Sequence, residues 1–136
     1  MPDQPALQLS ADAPCPCGAG RYTQCCGPTI EGRSTPSTAV ALMRSRYTAF
    51  ALGETDALLR SWHPSTRPQE LILDADTEWR RLVVIDVVDG GVGDETGIVE
   101  FRAVYRDATG RGELHERSRF VRTAGAWHYL DGEHRD

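Results

Sequence analysis

The period of the apolar residues changes once along this chain, and that change limits the fold more than any other feature. In STAVALMRSRYTAFALG (37–53), Val40, Met43, Tyr47 and Phe50 recur at helical spacing. Ser37 is the expected N-cap and Gly53 the expected stop. Thr55 is the expected cap of a second, short helix through Leu58, Leu59 and Trp62, which Pro64 ends, and 69–73 reads as a brief third helix. From Trp79 onward the period falls to two. TEWRRLVVIDVVD, GIVEFRAVYRD, GELHERSRFVRT and AWHYLDG read as four strands, and the turns between them hold Asp89-Gly90-Gly91, Thr109-Gly110 and Ala124-Gly125. Turns this short join antiparallel neighbours. Helices followed by a run of hairpins predict an α+β domain, with helices packed on one face of an antiparallel sheet.

All four cysteines fall in CPCGAGRYTQCC (15–26), ahead of the first helix. A two-bridge disulfide knot would need an oxidising compartment, and the N-terminal MPDQPALQLSADAP has neither the basic nor the apolar region of a signal peptide. The expected compartment is therefore the cytoplasm. Four unrelated core thiols do not suit a loop rich in Gly and Pro. A structural zinc site does: Cys15, Cys17, Cys25 and Cys26 offer four soft ligands, which close a tetrahedron and leave no position open for chemistry. Pro16 stiffens the first pair, and Gly18 and Gly20 let the chain turn back onto the metal. A loop this small takes its folding free energy from the metal. Residues 1–13 read as disordered, 14–28 as the knuckle, 27–36 as a Gly- and Pro-punctuated linker, and 36–132 as the main domain.

The stretch CPCGAGRYTQCCGP resembles the SEC-C zinc motif, which usually has one more residue between its cysteine pairs. By that resemblance the ligands are Cys15, Cys17, Cys25 and Cys26. Three further segments, ALMRSRYTAF, SWHPSTRP and HERSRFVRTAGAWHYLDG, together with the cysteines, resemble the YchJ family of small bacterial proteins. Those proteins join a SEC-C motif to a nuclear-transport-factor-like (cystatin-like) domain, in which a curved sheet wraps a long helix into a cone. Many members carry a second SEC-C copy at the C-terminus, whereas the cysteines of this sequence make up a single copy near its start. The resemblance thus implies the cone fold and a zinc ion. It names no activity, and it leaves a homodimer through the sheet open.

Strand parity picks out candidate pocket residues. Val99, Phe101, Ala103 and Tyr105 share one face of their strand, and Leu114, Glu116, Ser118 and Phe120 share one face of the next. Two large apolar residues turn that second face inward, which sets Glu116 and Ser118 among apolar neighbours. A buried carboxylate is costly unless it is paired or protonated. Glu116 either bridges to Arg44 or Arg46 on the first helix, or serves a small-molecule pocket with Ser118, Tyr105, Tyr47, Phe101 and Trp62. His63 caps or packs a helix end, or joins that pocket beside Trp62. Arg102, Arg106, Arg117, Arg119 and Arg122 read as a solvated face, with His115 among them.

The formal net charge of −5 and the lack of an aromatic platform beside those arginines make nucleic acid an unexpected partner. No apolar run reaches the ~20 residues of a membrane helix. There is no phosphate-binding glycine loop and no nucleophile elbow. Two functions of different class remain: a zinc-stabilised module that docks a partner protein through the knuckle, and a cone that binds or transforms a small molecule.

Overall fold

The computed structural model describes residues 13–135. The expectation of a disordered N-terminus falls outside them except at residue 13. A 3-10 turn, Tyr22–Gln24, and a four-residue helix α1, Gly27–Ile30, close the cysteine loop. Two helices follow, α2 (Ala39–Leu52) and α3 (Thr55–Arg60), and then strands β1 (Glu78–Asp89), β2 (Thr96–Asp107), β3 (Gly110–Thr123) and β4 (Ala126–His134). The strands form one antiparallel meander in the order β1-β2-β3-β4. The connections are as tight as the glycines implied. Ala124 and Gly125 both take positive φ, 52° and 81°, which suits the primed two-residue turns that match strand twist.

The register fixes the faces. Trp79, Leu82, Val84 and Val87 of β1 oppose Tyr105, Ala103, Phe101 and Val99 of β2. Phe101 and Ala103 oppose Glu116 and Leu114 of β3, whose Phe120 opposes Tyr129 of β4. Bulges in β1 and between Arg119 and Phe120 re-aim side chains and bend the sheet around α2. At the start of α2 the helix meets the sheet backbone to backbone. Ala39 N donates to Gly90 O at 2.8 Å, and a Cβ on Gly97 would stand 2.6 Å from Gly90 Cα. The parallel bridge Trp62↔Tyr129 ties the segment after α3 to the free edge of β4.

Helix α2 begins one residue later than the sequence implied. Thr38, not Ser37, is the N-cap, its Oγ1 accepting from Ala41 N at 3.2 Å, while the Ser37 carbonyl accepts from the Trp127 indole. Gly53 ends the helix in the left-handed region at φ 75°. The buried residues of α2 include Leu42, Met43, Arg46, Tyr47 and Ala49, and also Ser45 and Thr48. Its face is therefore wider than the Val40–Phe50 stripe, because both the knuckle and the sheet cover it. Three expectations fail. Thr55 is the first residue of α3 and Glu54 its N-cap, and the helix ends at Arg60, short of Trp62. No helix forms over 69–73, where the chain is extended or bent and Ile72 is 81% exposed. The stretch 27–36 is more than a linker, because Gly27–Ile30 is helical and Ile30 is buried.

Candidate metal centre and cone cavity

The cysteine loop folds onto α2. Pro14 and Arg21 form an isolated bridge, Cys15 N donates to Gly20 O, and Gly18 N donates to Cys15 O, with Gly18 at φ 85°. These turns bring the four Sγ atoms within 4.8 Å of one another. Cys17 and Cys25 stand 3.5 Å apart, and Cys25 and Cys26 stand 3.9 Å apart. Tetrahedral thiolates at ~2.3 Å from a metal would sit about 3.8 Å from each other. No disulfide joins the described cysteines. Cys15, Cys17 and Cys26 belong to the same apolar core as the cone residues.

The thiols compete for charge. Hydrogen bonds from Cys17 and Cys26 pull the Cys15 thiol far down. Those same contacts with Cys15 and Cys17 push Cys26 far up, and burial leads in pushing Cys25 up to about 12. Four thiolates this close repel one another, and a divalent metal held by Cys15, Cys17, Cys25 and Cys26 would supply the neutralising charge. Helix α2 buttresses it from behind. Thr48 Oγ1, on a fully buried residue, lies 3.5 Å from Cys15 Sγ, and Arg44 Nη1 donates to the Cys17 carbonyl at 3.3 Å. Arg60 of α3 donates to the carbonyls of Thr29 and Ile30 and so caps α1.

Another face of α2 lines a cavity of about 230 Å³ inside the cone. Five of the expected pocket residues are in its wall: Tyr47, Trp62, Phe101, Glu116 and Ser118. Two are not. Tyr105 lies across Gly112, where a Cβ would meet its ring at 2.4 Å, and packs edge-on against Trp79. His63 bonds Ser65 through Nδ1 at 2.7 Å and faces the His128 ring, and its backbone N–H donates to Tyr129 O. It caps the local turn in place of serving the cavity.

Glu116 makes no ion pair with Arg44 or Arg46. Its Oε2 accepts from Ser118 Oγ at 2.6 Å and from Tyr129 OH at 3.2 Å. Gly132 of β4 makes the niche for it, since a Cβ there would stand 2.3 Å from that oxygen. Arg46 is the residue that strand parity could not supply. It is 7% exposed, and its guanidinium carbon lies 4.7 Å from the centre of the Trp62 ring and 4.3 Å from that of Tyr129. Nη1 donates to Leu58 O and Ser61 Oγ. Burial pulls its pKa down to about 10, against the charges of Tyr129 and Glu116. Burial also pushes the Tyr47 hydroxyl up to about 12, and that hydroxyl has no hydrogen-bond partner. The sequence offers Arg46 only as an ion-pair partner, yet its place three residues after Met43 and four after Leu42 puts it on the buried helical face.

The outer face of the sheet is a ladder of matched charges. Arg117 bridges Asp86 at 3.0 Å and Glu100 at 2.9 Å, and Arg119 pairs with Asp131. His115 is not a solvated residue there. Its side chain is 12% exposed and bonds Glu100 at 2.7 Å. Arg122 opposes Trp127 and so shares the inward parity of the strand, unlike the other four arginines. Among the described residues no helix is long and apolar enough to cross a membrane.

Residues 38–132 match the family model described as "YchJ, middle NTF2-like domain". The chain belongs to the YchJ family. It is 52% identical to a UPF0225 protein of Streptomyces coelicolor over 124 residues, covering 90% of this chain and 97% of that one. A UPF0225 protein of Chromobacterium violaceum is 46% identical, covering 90% and 93%. Among solved structures, a SEC-C motif containing protein from Rhodopseudomonas palustris superposes with a TM-score of 0.77 at 32% identity, covering 90% of this chain and 98% of that one. A second, from Psychrobacter arcticus, gives 0.75 at 26% identity, covering 91% and 84%. The nuclear-transport-factor-like cone and the SEC-C-type cysteine cluster are thus properties this chain shares with its family.

Proposed function

We propose that this protein is a small-molecule-binding cone held together by a structural zinc ion. Zinc is the metal that suits four converging thiolates with no open position. Stapling fits the centre better than docking does, because its sulfur side is spent on α2 and three of its four cysteines are buried. When bound, the ion supplies charge neutralisation and a cross-link between the loop and the helix. Elemental mass spectrometry on tag-free protein should find about one zinc per chain, with thiols that react only after chelation. Zinc-free protein with freely reactive thiols would remove the metal from the proposal.

The ligand half of the proposal rests chiefly on one observation. Glu116 faces a cavity of about 230 Å³ and, among the described residues, no cation stands within ion-pair distance of it, although the charge of Arg46 is felt across the same wall. Convergent polar groups in an apolar recess are the usual form of a ligand site. A screen of small ring compounds by NMR should shift resonances of Glu116, Ser118, Trp62 and Trp79. Shifts confined to the outer face of the sheet would count against it.

A further inference from the structure

The proposal that the cone binds a small molecule leaves the ligand's chemistry open, and the following inference rests on that reading. We infer that the cavity takes a neutral, flat ligand of about two fused rings that carries one hydroxyl or N–H group on its edge.

Size comes first. An engineered apolar cavity of ~150 Å³ holds one benzene ring. The cone cavity, at about 230 Å³, is half as large again, which suits a bicyclic. Shape comes next. Trp79 packs at 71° to Tyr47 and 55° to Phe50, so the wall offers both ring faces and ring edges. A flat aromatic body can stack offset on the faces and meet the edges.

Charge decides the class. Arg46 and Glu116 both line the cavity, carry opposite charge and do not pair with each other. An anionic ligand would meet the Glu116 carboxylate in a largely apolar recess. A cationic one would meet Arg46, which already occupies the π faces of Trp62 and Tyr129. Unpaired like charges in such a place are costly. A neutral ligand avoids both costs.

The polar edge follows from what the protein leaves unsatisfied. Glu116 Oε2 takes two donors, from Ser118 and Tyr129, and among the described residues no side chain donates to Oε1. Arg46 uses Nη1 on Leu58 and Ser61, and among the described residues no acceptor meets Nη2 or Nε. The cavity wall thus includes one spare acceptor, on Glu116, and two residues with unused donors, Arg46 and the unpartnered Tyr47 hydroxyl. A hydroxyl can satisfy both at once, and an N–H can satisfy the acceptor.

Four probes that share one ring system separate the possibilities. Naphthalene, 2-naphthol, 2-naphthoate and 2-naphthylmethylamine would be titrated into the metal-loaded full chain at neutral pH by calorimetry. The expected result is one site per chain. 2-Naphthol should bind about three- to tenfold tighter than naphthalene, the gain of one good hydrogen bond. It should bind at least about tenfold tighter than either charged probe. In Glu116→Gln the advantage of 2-naphthol over naphthalene should shrink and 2-naphthoate should gain affinity. The wild-type ranking decides the question even if that variant folds poorly. Tighter binding of the anion or the amine would overturn the ligand class and leave cavity binding standing. An equal response to naphthalene and 2-naphthol would overturn the polar edge. Failure of all four probes to bind would remove the small-molecule reading itself.

Discussion

Glu116 and its surroundings show how single residues set this site. The carboxylate fits where it does because residue 132 of the neighbouring strand has no side chain. In Gly132→Ala the new methyl would displace Glu116 from Ser118 and Tyr129. Overpacking of this kind costs about 1–3 kcal/mol, which urea unfolding would detect. His128 sets a pH dependence. Burial lowers its pKa from 6.5, the nearby charges of His63 and Arg67 lower it further, and a bond to the Ala126 carbonyl partly opposes them. The unfolded chain therefore binds more protons than the folded one between the two values. Stability from this group is complete above pH 6.5 and is lost as the pH falls through the folded value. Glu100, held down by His115, and Asp131, held down by Arg119, add losses only below their own ordinary values of 4.5 and 3.8. A urea-midpoint series from pH 7 to 5 should fall in the native protein and flatten in His128→Asn. Parallel curves would show that His128 is not the cause. Strand alternation made Glu116 and Ser118 legible as inward residues. It could not reveal Arg46, whose burial depends on the distant rings of Trp62 and Tyr129.

At the scale of elements, the strands were legible nearly to the residue, because a period of two between glycine turns leaves one antiparallel meander as the simple solution. Helix α2 was legible at its C-terminal end, where Gly53 adopts the left-handed cap. Its start was shifted because Ser37 and Thr38 are both good N-caps and their order alone does not choose between them. In the fold Thr38 supplies the side-chain bond and Ser37 only a carbonyl. Thr38→Ala should cost about 1 kcal/mol by thermal or urea unfolding, and Thr38→Ser should recover most of it. Ser37→Ala should change little. Equal costs at 37 and 38 would refute this assignment of the cap. The Leu-Ile-Leu run of 69–73 looks helical in isolation, yet it forms no helix. Ile72 faces solvent and no cap begins a turn there. The parallel bridge of Trp62 to β4 was not legible either, since it pairs residues far apart in the chain.

Taken whole, the molecule is one core with α2 at its centre. The cysteine loop bears on that helix through Thr48 and Arg44, and the cavity bears on it through Met43, Arg46 and Tyr47. The sequence made the knuckle legible as a cluster with metal-ligand chemistry, yet it suggested an appendage joined by a linker. The fold instead merges Cys15, Cys17, Cys26 and Ile30 with the cone interior. Loss of the proposed metal should therefore destabilise the entire domain. The direct measurement is scanning calorimetry of the metal-loaded chain, and of the same chain stripped by a chelator under reducing conditions. A metal that staples a shared core predicts one cooperative transition whose midpoint drops by more than about 10 °C on stripping. An unchanged midpoint, with only the thiols becoming reactive, would contradict it.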